Sequence, residues 1–186
     1  PLSHAIKFIP AILINLLLSA TAFGQRDIKT INDGWLFYKG DIEEAAQKSF
    51  DDSKWQRIVL PHTWNTDAYT YKEYYKGKGW YRRTLNLSDD LKDKQLFLRF
   101  EGASKAASVY INGSLVGEHR GGYTAFTYDI TSYCSLDTPN LIAVCVDNAR
   151  LDIPPISGDF TFFGGIYRDV WLIATSKQHL NLTDHG

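Results

Sequence analysis

From Gln25 onward the chain is broken by Gly, Pro, Asn or Asp roughly every ten residues, with short runs between them that alternate apolar and polar side chains. A period of two sends successive side chains to opposite faces of an extended backbone, so each run reads as a strand with one face turned to a core. No long stretch of helical period competes. The expected class is therefore all-β, an antiparallel β-sandwich of jelly-roll type.

The strands are expected at Trp35 to Tyr38, Gln56 to Leu60, Trp80 to Leu87, Gln95 to Glu101, Ala107 to Ile111, Leu115 to His119, Tyr123 to Tyr128, Asn140 to Val146 and Ile166 to Ala174. Asn112-Gly113 tolerates the positive φ of a type I′ turn and predicts a hairpin between the fifth and sixth runs. Asp41 to Phe50 holds good helix formers and reads as a short surface helix or irregular connector. Ala149 to Gly165 is a long irregular loop carrying Pro154, Pro155, Gly158, Gly164 and Gly165; loops of that length in compact domains are usually functional or disordered, and Phe160, Phe162 and Phe163 speak against disorder.

Lys7, the apolar run Phe8 to Ala22 and the small-x-small pattern Ala22-Phe23-Gly24 predict a signal peptide over 1–24 cleaved before Gln25. A spanning helix is the competing reading, but Pro10, Asn15 and Ser19 interrupt a run already shorter than the roughly 20 residues required. Export to the periplasm or the extracellular space is expected, and no membrane span. The first residue is Pro1, and His179 to Thr183 reads like a strand beginning, so both ends look incomplete.

Twenty Lys and Arg face twenty-one Asp and Glu in scattered order, which leaves no electrostatic footprint for nucleic acid. Export would permit a disulfide between Cys134 and Cys145, yet Cys145 lies in an apolar run and reads as a buried thiol. The histidines show no ligand spacing for a metal.

Five stretches occur in an order that resembles one family: Asp33-Gly34-Trp35, Leu60 to Asn65 (Leu-Pro-His-Thr-Trp-Asn), Gly79 to Arg83 (Gly-Trp-Tyr-Arg-Arg), Tyr110 to Gly113 (Tyr-Ile-Asn-Gly) and Gly164 to Val170 (Gly-Gly-Ile-Tyr-Arg-Asp-Val). Together they resemble the N-terminal domain of family 2 glycoside hydrolases, the group of β-galactosidases, β-glucuronidases and β-mannosidases. The resemblance implies a galactose-binding-domain-like jelly roll over 25–176, with 177–186 as the start of an immunoglobulin-like domain, ahead of a (β/α)₈ barrel that carries two catalytic glutamates. It implies a β-linked glycan or oligosaccharide as partner, contact with the in-chain catalytic barrel, association into homo-oligomers, and no required cofactor, with sodium or magnesium as ions of the complete enzyme.

Retaining hydrolysis needs an acid and a nucleophilic carboxylate about 5 to 5.5 Å apart. Glu101, Glu118, Asp147, Asp152, Asp159 and Asp169 are the carboxylates weighed; Glu101 and Asp147 sit at strand ends, and the family's Asn-Glu dipeptide is absent, so no catalytic residue is assigned here. By resemblance Asp159, in Ser157-Gly158-Asp159-Phe160, binds a substrate hydroxyl and a sodium ion, against the plain reading of a turn cap. Phe160 to Gly164 departs from the β-galactosidase pattern, which counts against galactose specificity. His62 and Asn65 are candidate sugar contacts on a loop, against the alternative of a turn locked by hydrogen bonds. Arg168 and Asp169, adjacent on a strand, point to opposite faces and read as structural. A free-standing carbohydrate-binding module and an inactive gene fragment are the rival readings.

Overall fold

The computed structural model describes residues 26–66, 74–156, 158 and 161–183. Among these residues ten strands form two sheets: β1 Asp27–Thr30, β2 Trp35–Lys39, β3 Gln56–Ile58, β4 Lys78–Leu85, β5 Gln95–Phe100, β6 Ala106–Ile111, β7 Ser114–Arg120, β8 Phe126–Asp129, β9 Asn140–Asp147 and β10 Val170–Thr175. One sheet runs β1-β10-β5-β8, the other β3-β2-β4-β9-β6-β7. Every paired strand is antiparallel, as the alternating pattern requires. The expected antiparallel sandwich is what the chain forms.

The inner faces meet in one apolar core that includes Trp35, Phe37, Tyr81, Leu98, Phe100, Val109, Ile142, Val144, Val170 and Leu172. The two-residue period is plain in β9, where Ile142, Val144 and Val146 enter this core while Ala143 and Cys145 face outward. Asn112 (φ 53°) and Gly113 (φ 88°) make the expected tight turn between β6 and β7. Two smaller clusters lie on the outer faces. On the six-stranded sheet, Ala45, Ala46, Trp55, Trp80 and Ala143 pack together; on the four-stranded sheet, Phe97, Ile173 and Leu182 do so, with residues 177–183 crossing that face.

Arg82 explains how the first outer cluster closes. Its guanidinium is only 3 % exposed, and it binds Asp52 at 2.7 Å, donates to the carbonyls of Ala45, Gln47 (2.9 Å) and Phe50 (3.4 Å), and lies over the rings of Phe50 and Trp55. The connector from Asp41 to Trp55 is thus gathered around one cation. Its helical part shrinks to a 3₁₀ turn, Glu43–Ala46, and because Ala45 and Ala46 are buried it is not the surface helix the composition suggested.

Other departures have physical causes. β1 shows no buried residue and so no apolar alternation to read; it exists because its backbone pairs with β10, Asp27 opposite Ala174 through Thr30 opposite Trp171. β10 begins at Val170 rather than Ile166, because residues before it are held by other partners: Gly165 bridges Ser104, and Glu101 N donates to Asp169 O. Cys134 packs against the main core and Cys145 belongs to the outer cluster, so the two thiols are free. Among the described residues no helix is long and apolar enough to cross a membrane; the expected leader lies outside them.

Candidate functional site

Two loops cross at one end of the sandwich, 61–66 after β3 and 161–169 before β10. Backbone and side chain fasten them: His62 N donates to Ile166 O (2.8 Å), Thr63 Oγ1 to Gly164 O (2.8 Å), and Gly164 N to Asn65 Oδ1 (2.7 Å). Asn148, just past β9, adds a second brace. Its Nδ2 donates to Phe162 O (3.1 Å) and its Oδ1 accepts from Gly77 N (2.8 Å), while Phe162 N donates to the Tyr74 hydroxyl at 2.9 Å.

Trp64 is the plug of this junction. It stacks on Phe37 with ring centres 5.9 Å apart, and two glycines let the backbone approach its ring. A methyl on Gly79 would stand 2.6 Å from the indole, and one on Gly164 would stand 2.1 Å from it. Gly165 adopts φ 122°, and a Cβ there would meet the His62 carbonyl at 2.5 Å and the Tyr81 hydroxyl at 2.7 Å. Nearby, Asp169 accepts from Asn32 Nδ2 (2.9 Å), Arg168 lies over the Tyr167 ring, and the Tyr167 hydroxyl donates to Gly122 O. The motifs Gly79-Trp80, His62 to Asn65 and Gly164 to Asp169, distant in sequence, are thus parts of one lock.

The candidate residues fare differently within it. Asn65 is fully buried; besides accepting from Gly164, its Nδ2 donates to Tyr75 O at 2.9 Å, so its amide is engaged inside the protein. His62 is half-buried, with Nδ1 2.8 Å from the Tyr81 hydroxyl and its ring 4.6 Å from Phe37. Burial lowers the His62 pKa below its usual 6.5, so the ring is neutral at neutral pH. The same desolvation raises Tyr81 far above the ordinary phenol range. Asp159 and its expected sodium lie outside the described residues. Among the described residues no group of three His, Cys, Asp or Glu side chains gathers to hold a metal ion.

His62, Thr63, Trp64 and Thr66 form one wall of an open cleft of about 650 Å³, opposite Tyr38, Lys39 and Trp55. Its size is that of a small-ligand site. The mixture suits a hydroxylated ligand: aromatic edges for C–H groups, and hydroxyl, imidazole and ammonium groups for oxygen. Sequence reasoning found His62 but not Tyr38 or Trp55, which face the cleft only because β2 and β3 are paired.

Three of the other carboxylates hold structural contacts. Asp152 bridges Arg120 and Arg150 at 2.7 Å each, which holds its carboxyl far below the usual range. Glu101 pairs with Arg99 (2.8 Å), and Asp147 accepts from Ala149 N (2.8 Å) as a turn residue.

Residues 28–176 match the family described as "Glycosyl hydrolases family 2, sugar binding domain". The structure of β-glucuronidase 2 from Bacteroides uniformis, covalently bound to cyclophellitol-6-carboxylate aziridine, is similar with TM-score 0.86 and 65% identity, covering 87% of this chain and 19% of that one. A β-galactosidase of Thermoanaerobacter pseudethanolicus is 40% identical over 83% of this chain and 22% of its own length. A β-glucuronidase of Bacteroides fragilis is 38% identical over 97% of this chain and 25% of its own. The chain therefore spans about a fifth to a quarter of the length of these relatives.

Proposed function

The chain belongs to family 2 of the glycosyl hydrolases, as the sugar-binding domain of that family, and from this premise we propose that the complete protein hydrolyses β-glucuronides by the two-step retaining route. The observation that carries the substrate class is the 65% identity to an enzyme captured with a carboxylate-bearing cyclitol, against 40% to a β-galactosidase. The absence of the β-galactosidase pattern at Phe160 to Gly164 agrees with it.

In this reading the domain contributes position rather than proton transfer. Holding a sugar correctly relative to catalytic groups lowers a barrier by several kcal/mol, about 7 to 11 at the limit of perfect orientation. Asp159 binds a substrate hydroxyl, with a sodium ion beside it; His62 offers its imidazole from the cleft wall, and Asn65 ties the loop that carries His62 to Gly164. The barrel that supplies the two glutamates lies in the remainder of the protein, which works outside the cytoplasm after loss of residues 1–24.

The test is hydrolysis of p-nitrophenyl β-glucuronide and p-nitrophenyl β-galactoside by the complete protein. A kcat/KM at least tenfold higher for the glucuronide is expected; a preference for the galactoside overturns the substrate assignment. Asp159→Ala is expected to lower kcat/KM at least tenfold, and unchanged kinetics would remove Asp159 from the site.

A further inference from the structure

The outer face of the six-stranded sheet carries a second depression, away from the crossed loops. Register builds it: Trp80, Cys145, Ser108 and Glu118 stand in one row across β4, β9, β6 and β7, and Lys78, Asp147 and Ala106 stand in the next. Small side chains at Cys145, Ala106 and Ser108 form the low floor. The connector bearing Asp41 and Glu43 rises at one edge and Arg150 at another, enclosing about 420 Å³.

We propose that this depression is a glycan-binding surface for neutral pyranose units, an inference that rests on the sugar-binding reading of the domain. Tyr110 is part-exposed and packs on Trp80 with ring centres 5.8 Å apart, giving an aromatic edge against which sugar C–H groups can lie. Around it, acceptors and donors alternate: Ser108 donates to Glu118 at 2.9 Å, and Lys78 pairs with Asp41 at 2.8 Å. Exposed pairs of this kind exchange readily for ligand hydroxyls, because they are worth little in water.

Charge selects the class of sugar. Asp41, Glu43, Glu118 and Asp147 outnumber Lys78 and Arg150, and Arg150 is already engaged by Asp152. A uronate would enter a field of its own sign, whereas a neutral unit meets only hydrogen-bonding groups. The surface therefore holds a part of the glycan chemically unlike the acidic residue proposed for cleavage.

Native gels of the complete protein cast with galactomannan, hydroxyethyl cellulose or polygalacturonate test this. Retardation by at least one neutral polymer is expected, absent with polygalacturonate, and weakened at least tenfold in both Glu118→Gln and Ser108→Tyr. Glu118 is exposed, so its variant folds even if the bulkier one does not. Absence of retardation by either neutral polymer, equal retardation by polygalacturonate, or undiminished retardation of Glu118→Gln would overturn the proposal. Hydrolysis of the small glycosides by the unaltered protein reads the enzymatic proposal separately.

Discussion

Replacing Arg82 by Met keeps the length and apolar stem of the side chain and removes only the cation. That deletion strips Asp52 of its 2.7 Å partner, leaves the carbonyls of Ala45 and Gln47 without their donor, and uncouples the rings of Phe50 and Trp55 from the charge between them. Removing one member of a buried pair costs about 3 to 5 kcal/mol. Asp52 is 28 % exposed and regains some water, so the lower half of that range applies, about 3 kcal/mol. For a domain of this size each kcal/mol lowers the melting temperature by about 2 to 4 °C, giving about 6 to 12 °C. Arg83, one residue on, is the control: its Nε reaches a single carbonyl, Asp33, at 2.8 Å and its Nη1 another, Thr84, at 3.3 Å, so Arg83→Met is expected to cost about 1 kcal/mol. Urea unfolding followed by tryptophan fluorescence measures both. Equal losses in the two variants, or less than about 1 kcal/mol for Arg82→Met, would refute the idea that this cation assembles the connector.

Gly164→Ala is expected to destabilise by about 1 to 3 kcal/mol or more, because the added methyl meets the Trp64 ring and stands 2.8 Å from the Asn148 amide nitrogen, whereas Gly34→Ala, with open space around it at φ 76°, is expected to cost about 1 kcal/mol from backbone strain alone; thermal denaturation distinguishes them. Since burial depresses the pKa of His62 in the folded state, the unfolded chain binds the proton more readily: the contribution is complete above the unfolded value near 6.5, and is lost progressively as pH falls from there toward the folded value. The slope of melting temperature against pH over about 5 to 8 is expected to flatten in His62→Gln, and an unchanged slope would assign the effect elsewhere. Burial pushes the Cys134 thiol up to about 11 and that of Cys145 to about 12, so these thiols are expected to react slowly with a thiol reagent at neutral pH in the native protein and both to react when it is denatured without reductant; reaction of neither would indicate a bridge between them.

The sequence made the sandwich legible because buried sheet faces impose a two-residue period, which β6 displays over its six residues, while β9 was legible as a continuous apolar run rich in β-branched residues, buried on both faces. β1 was invisible for the same reason: an edge strand with nothing buried has no period to show. The candidate site was legible only in part. Asn65 stood out beside Trp64 and His62, but its burial follows from the arrival of Gly164, almost a hundred residues later in the chain, and no local pattern reports that meeting. Likewise Arg82 and Arg83 look equivalent in sequence; which of them is buried depends on strand register, which sets Arg82 opposite Leu36 and Ala143, on the outer face that the connector covers.

The pairing of β1 with β10 joins the first strand of the domain to its last, and Asn32 fastens the same closure by accepting from Val170 N and donating to Asp169. A chain made or threaded from its N-terminus therefore leaves the β1 backbone without its pairing partner until residues 171–174 have emerged. Contacts between remote segments form slowly, because loop entropy is lost before they contribute. Along that route the closing step is the arrival of β10, and a truncation before Val170 leaves the opening strand without a neighbour.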